Sequence, residues 1–170
     1  MRHIVLYEPE IPQNTGNIIR LCVAFKMTLH IIRPAGFPLS MAALRRSSVN
    51  YVDDIDMVIH DTWEAFLSEI NGKLYFVTRY GNQTPDTVDL SDKHEDVYLI
   101  FGSESAGVAK QILKQHPKQL IRIPMADKMR SLNLANSVAM LAYESARQSA
   151  FQALSKEEPP NFKGKNYLKD

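Results

Sequence analysis

The chain has 170 residues, is 45% hydrophobic and 23% charged, and carries a formal net charge of +1, which fits one globular domain and leaves too little length for two ordinary ones. Near-neutrality excludes a histone-like polycation, and the single cysteine, Cys22, excludes an internal disulfide and a thiolate-rich zinc site, although His and carboxylate ligands remain arithmetically available. Glu8 and Glu10 stand where a signal peptide needs an apolar core, and runs such as 97–101 fall far short of a membrane span, so a cytoplasmic protein is expected.

In chain order, His3 to Tyr7 reads as a short β-strand ended by the turn from Glu8 to Pro12. Asn14 or Thr15 can cap a helix running through Arg20 and Cys22. Thr28 to Ile32 is a second strand, closed by Pro34 and Gly36, and Ser40 can cap a short helix through Leu44, Arg45 and Arg46. Met57 to Ile59 predicts a third strand, Thr62 to Leu67 a helix and Leu74 to Thr78 a fourth strand. After a polar stretch from Gly81 to Glu95 come a fifth strand, Val97 to Phe101, and a helix from Ser105 to Gln115. Leu120 to Ile123 predicts a strand stopped by Pro124, and Leu134 to Leu154 a long last helix.

Strands and helices alternate, and several strands are continuously apolar. The pattern predicts an α/β fold, a mostly parallel sheet with helices on both faces. One domain over 1–154 is expected, followed by a loosely ordered tail, 155–170, rich in Lys, Glu and Pro. Charge is uneven along the chain: residues 1–50 and 101–150 each carry a net +4, and residues 51–100 a net −8. Two basic segments can fold into one positive face for a polyanion, or form ordinary solvated surface.

Three clusters carry potential chemistry. Gly102-Ser103-Glu104-Ser105-Ala106-Gly107 follows a buried-looking strand, at the strand end where α/β sheets bind ligands. Its spacing matches neither a phosphate-binding loop nor a dinucleotide fingerprint. Gly102 can let a ligand approach the backbone and Glu104 can hold nearby amides; the plainer reading is a tight turn with Glu104 at the N-terminus of its own helix. The loop from Ile123 through Met125, Arg130, Ser131 and Asn133 to Asn136 is longer than most connections, and Ser131 and Asn133 are natural capping residues. Pro12 to Arg20 holds two Asn, a Thr and a Gly at a helix start, which capping also explains. No catalytic triad, carboxylate dyad or metal-spaced His pair emerges, and the five His residues, read singly, are structural or solvated. No metal is expected.

Together, Asn14-x-Gly16-Asn17-Ile18-x-Arg20, Phe101-Gly102-x-Glu104-x-x-Gly107 and Ile123-Pro124-Met125 with Arg130-Ser131-Leu132-Asn133-Leu134-x-Asn136-Ser137 closely resemble the SPOUT class of RNA methyltransferases. Val5-Leu6-Tyr7, Pro9 to Pro12, Pro34 to Phe37 and Leu44-Arg45-Arg46 narrow the resemblance to its small bacterial tRNA 2′-O-methyltransferases, which modify the wobble nucleotide, cytidine or a modified uridine, of leucine tRNAs. The resemblance spans roughly residues 3–150.

It implies a deep trefoil knot in the C-terminal part, which no general rule of chain topology would suggest. It further implies S-adenosyl-L-methionine as cofactor, a homodimer, and a tRNA anticodon stem-loop as partner. By motif, the cofactor-binding residues are Val77, Thr78, Gly102, Glu104, Ile123, Met125, Ser131, Leu132 and Asn136. The catalytic candidates are Arg20, Asn14 and Arg130, and the RNA-binding candidates Arg20, Arg45, Arg46 and Arg130. A guanidinium stays protonated near neutrality, so Arg20 is expected to orient the ribose or its phosphate and to stabilise a developing alkoxide. Val138, Leu141, Ala142 and Ser145 of the last helix, with the segment Asn14 to Arg20, are the expected dimer face. Three residues depart from the pattern: Ala106 where many relatives have Arg, Ala135 for Ser, and Lys26 where a helix end favours Gly or Asn. The alternatives are a non-catalytic RNA-binding protein on the same fold, and a methyltransferase for another RNA site.

Overall fold

A computed structural model describes residues 1–48 and 51–168. Its centre is a six-stranded sheet made of β1 (Arg2–Tyr7), β2 (Thr28–Ile32), β3 (Met57–His60), β4 (Lys73–Val77), β5 (Val97–Phe101) and β6 (Leu120–Ile121), in the order β3-β2-β1-β5-β4-β6. Every pairing is parallel. The helices are α1 (Pro12–Phe25), α2 (Met41–Ser48), α3 (Trp63–Glu69), α4 (Lys110–Gln115) and α5 (Leu134–Gln148), with 3-10 turns at Tyr51–Asp53 and Pro85–Thr87.

Alternation along the strands splits the core in two. Ile4, Leu6, Leu29, Ile31, Leu99 and Phe101 face α1 and α5, where Ile18, Ile19, Cys22, Val138, Leu141 and Ala142 complete one cluster. Val5, Tyr98, Ile100 and Phe76 face the other way, toward Trp63 and Phe66 of α3 and Ile112 and Leu113 of α4. β1 and β5 are apolar toward both layers because each layer buries one of their faces. Burial raises the Cys22 thiol well above its ordinary value, which leaves it protonated and inert.

Several boundaries differ from the sequence-based expectation. α4 begins at Lys110, five residues after Ser105, because Gly107 adopts φ +74° and its N–H donates to the Ser103 carbonyl, closing a separate turn. β6 stops at Ile121, after which the Arg122 N–H leaves the sheet for the Gln83 carbonyl. α5 ends at Gln148 rather than Leu154: Ala150 and Phe151 take left-handed conformations, and the Phe151 N–H turns back to the Ala146 carbonyl. Tertiary contacts hold that end in place, since the Gln148 amide donates to Pro85 and Val88 carbonyls and accepts from Leu90 N–H. Lys26, the departure noted at the end of α1, has φ 52° and ψ 52°, the left-handed cap that favours glycine.

Histidines read as isolated in the sequence prove to be connected. His3, His30 and His60 lie on neighbouring strands on the α3 side, with His3 Nδ1 3.0 Å from His30 Nε2 and His30 Nδ1 2.9 Å from His60 Nε2. A carboxylate stands at each end, Asp96 beyond His3 and Glu69 beyond His60. Burial pushes all three imidazoles below their ordinary value, His30 to about 4.

Candidate active site

A cavity of about 500 Å³ opens at the C-terminal ends of β4, β5 and β6. β4 delivers Val77 and Thr78, β5 delivers Phe101 and Gly102, and the segment after β6 brings Ile123, Met125 and the 130–134 stretch around the opening. Parallel strands all direct their C-terminal ends to one edge, so loops distant in sequence converge there. The volume lies in the range of small-molecule sites, and the lining mixes aliphatic side chains with polar loop backbone, as a nucleoside-bearing ligand needs.

The three sequence clusters meet through one hydrogen-bonded clamp. α1 has no side-chain cap of its own; Ile11 occupies the N-cap position and Asn14 lies inside the first turn. Glu104, from the loop after β5, anchors the segment entering the helix instead. Its carboxylate accepts from Glu10 N–H at 2.8 Å, Ile11 N–H at 3.2 Å and Asn14 Nδ2 at 2.8 Å. Asn14 Oδ1 in turn accepts from Asn133 Nδ2 at 3.0 Å, and Asn133 caps α5 by accepting from Asn136 N–H at 3.2 Å. Glu10 answers from the other side, accepting from the N–H and hydroxyl of Ser105.

That clamp gives Glu104 and Asn14 defined partners. The Glu104 carboxylate serves the N-terminus of α1 and not that of its own following helix, and its oxygens are committed to protein donors. Buried Asn14 is likewise engaged at both amide atoms, so it joins α1 to α5. Gly102 also needs a different account from the one expected. A Cβ there would sit 2.1 Å from the Gly107 carbonyl carbon and 2.2 Å from the Val108 nitrogen. The space that glycine leaves is therefore filled by the protein's own returning backbone rather than by a ligand.

Of the expected site residues, Val77, Thr78, Gly102, Glu104, Ile123, Met125, Ser131, Leu132, Asn14 and Arg130 line this one cavity. Asn136 does not; its backbone N–H donates to Asn133, the cap of α5, and the residue is exposed. Arg20, Arg45 and Arg46 also lie outside the lining, exposed on α1 and α2. Arg45 pairs with Asp53 at 2.6 Å, and the Arg20 guanidinium lies 5.4 Å from the centre of the Tyr51 ring. Val138, Leu141, Ala142 and Ser145, expected at a dimer face, are buried inside the protomer, with Ser145 donating to the Leu90 carbonyl. The exposed side of α5 carries Met140 and Tyr143 instead, 48% and 55% accessible.

Arg79 and Tyr80 were not anticipated. They follow Thr78 just past the end of β4 and line the cavity, with the guanidinium 5.0 Å from the Tyr80 ring centre. A cation and an aromatic ring immediately after a buried strand were the available signal. Among the described residues no group of three or more His, Cys, Asp or Glu could hold a metal ion, and no helix is long and apolar enough to cross a membrane.

Residues 1–143 match the SpoU rRNA Methylase family. The chain belongs to that family. A relative from Listeria innocua, named as a tRNA (cytidine(34)-2′-O)-methyltransferase, is 41% identical over 161 residues, covering 94% of each chain. A solved structure described as giving insights into the 2-OH methylation of C/U34 on tRNA superposes with a TM-score of 0.79 at 38% identity, over 89% of this chain and 98% of the other. A structure of an AdoMet-bound rRNA methyltransferase from Sinorhizobium meliloti superposes with a TM-score of 0.76 at 25% identity. This chain covers 57% of that protein, which is therefore much the longer, and 91% of this chain is matched. In this SpoU-family chain the cavity, the clamp and the residues of the three sequence clusters thus share one end of the sheet.

Proposed function

We propose that this chain transfers the methyl group of S-adenosylmethionine to the ribose 2′-hydroxyl of the wobble nucleotide, position 34, of tRNA, as its relatives are named to do. One observation carries the reading: residues from three separated segments, drawn together by the Asn14–Glu104–Asn133 clamp, form a single cavity at the ligand-binding edge of a parallel sheet. Val77, Ile123, Met125 and Leu132 offer apolar walls for an adenosine, and Thr78, Ser131 and the loop backbone offer polar contacts. S-adenosylmethionine, when bound, supplies a methyl group already activated on its sulfonium. The protein's share is then alignment, exclusion of water and placement of charge.

Arg130, exposed at the cavity, is suited to a phosphate or ribose oxygen of the entering nucleotide. Arg20 lies outside its own protomer's cavity, which supports a site shared between two protomers in which Arg20 reaches the partner's bound nucleotide. Met140 and Tyr143 on the outer side of α5, beside α1, give such a homodimer an apolar contact. Arg45 and Arg46 on α2 extend the basic surface toward the backbone of an anticodon stem-loop, with leucine tRNAs as the expected substrates. The trefoil knot implied by the resemblance is part of the same reading.

The test is methylation of unfractionated tRNA with labelled cofactor, followed by mapping of the modified nucleotide by mass spectrometry. The label is expected on the 2′-oxygen of position 34; label on a base, or only at another position of the tRNA, overturns the reading. Arg20→Ala is expected to keep cofactor affinity and lose about a hundredfold or more in transfer rate. Full activity in that variant removes Arg20 from the reaction. In mixed dimers, an Arg20→Ala protomer combined with a Ser131→Trp protomer, whose cavity is blocked, is expected to regain about one working site. Failure of a verified heterodimer to do so assigns Arg20 to its own protomer's cavity.

A further inference from the structure

Arg20 is exposed near the C-terminal half of α1, where a free arginine side chain samples many rotamers and loses that freedom on engaging a ligand. Here its guanidinium is already partnered by an aromatic ring: it sits 5.4 Å from the centre of Tyr51. Tyr51 is half-buried and packs against the main hydrophobic cluster, so the ring itself is a fixed surface. The 3-10 turn that carries it is tethered at its other end, where Asp53 pairs with Arg45 of α2 at 2.6 Å. One short turn thereby fixes two of the arginines ascribed to RNA contact, one through a ring face and one through a carboxylate.

We propose that Tyr51 is a positioning residue for Arg20, holding its guanidinium over the ring so that the fork faces outward, ready for ribose and phosphate oxygens. The proposal rests on the reading of Arg20 as the residue that engages the acceptor nucleotide. A guanidinium binds an aromatic face through the flat side of its π system and leaves its N–H edge available for oxygen acceptors. The ring thus restricts the side chain without consuming the donors that the acceptor nucleotide requires. Because the attraction is to the ring, the phenol hydroxyl is dispensable.

The experiment compares Tyr51→Phe and Tyr51→Leu, the latter keeping an apolar side chain against the core while removing the aromatic face. In the free protein, the Arg20 Nε–H resonance, assigned with Arg20→Lys, is expected upfield of the arginines that face no ring, because of the ring current. It should stay there in Tyr51→Phe and return to the ordinary range in Tyr51→Leu. In single-turnover methylation, Tyr51→Leu is expected to lose about threefold to tenfold in rate with unchanged affinity for S-adenosylmethionine, while Tyr51→Phe keeps the native rate. In an Arg20→Ala background, Tyr51→Leu is expected to cost nothing further. A native rate in Tyr51→Leu, an equal loss in the Arg20→Ala background, or a Phe variant as slow as the Leu variant each overturns the proposal. Loss of the reading beneath it looks different: Arg20→Ala would then be fully active, while the native protein still shows the upfield Arg20 resonance.

Discussion

Replacing Glu104 with alanine separates the two roles open to that carboxylate, clamp or cofactor ligand. The side chain accepts three hydrogen bonds, from Glu10 N–H, Ile11 N–H and Asn14 Nδ2, at the otherwise uncapped N-terminus of α1. A hydrogen bond to a charged group contributes about 1.5–3 kcal/mol net. Two of the donors are backbone groups that water can partly re-solvate, whereas Asn14 is buried and would keep an unpaired N–H. The expected loss is therefore about 3 kcal/mol rather than the full sum, or a fall in Tm of about 6–12 °C for a domain of this size. Glu104→Gln retains one acceptor oxygen but turns an NH₂ toward N–H donors, and is expected to cost about 1–2 kcal/mol. Thermal and urea unfolding of the ligand-free protein measures both, with calorimetry of S-adenosylmethionine binding run in parallel. A Glu104→Ala protein within about 0.5 kcal/mol of the native one would refute the clamp. So would a Gln variant that melts normally yet fails to bind the cofactor, since the carboxylate would then serve the ligand.

Lys26→Gly is expected to stabilise the protein by about 0.5–1 kcal/mol, because the left-handed cap at φ 52° disfavours a side chain; urea unfolding checks it, and a loss of stability would show that the Lys26 side chain contributes more than its backbone strain costs. Gly102→Ala is expected to destabilise by about 2–4 kcal/mol and to weaken cofactor binding, since its Cβ meets backbone at 2.1 Å; a variant with native melting would mean that the 102–108 loop gives way freely. Acid should weaken the fold before the carboxylates titrate. Burial holds the folded-state value of His30 at about 4, below the ordinary 6.5, so the unfolded chain binds more protons between those values and stability falls as pH drops through that window. His30 alone accounts for about 2 kcal/mol between pH 8 and pH 5, and a flat stability profile over that range would contradict its neutral burial.

Much of the architecture was legible because it follows from short-range regularities. Continuous apolar runs such as Val97–Phe101 identify strands buried on both faces, and Ser40 accepts from a first-turn N–H of α2 as its local side-chain chemistry suggests. The cavity residues could be assembled only through resemblance, since their convergence depends on which strands lie side by side, and the order β1-β5-β4-β6 is not written in any one segment. Hydrogen bonds across ninety or more residues were beyond reach for the same reason. Asn14 has the composition of an N-cap, yet it lies inside the first turn of α1 and its side-chain amide donates to Glu104. The three histidines look solitary because sequence spacing says nothing about lateral neighbours in a parallel sheet; only the stepped pairing of β1, β2 and β3 stacks them. Local propensity thus specified the elements and their faces. Strand order, the clamp between motifs and the exposed side of α5 were decided by tertiary packing, because each depends on groups that become neighbours only once the sheet has formed.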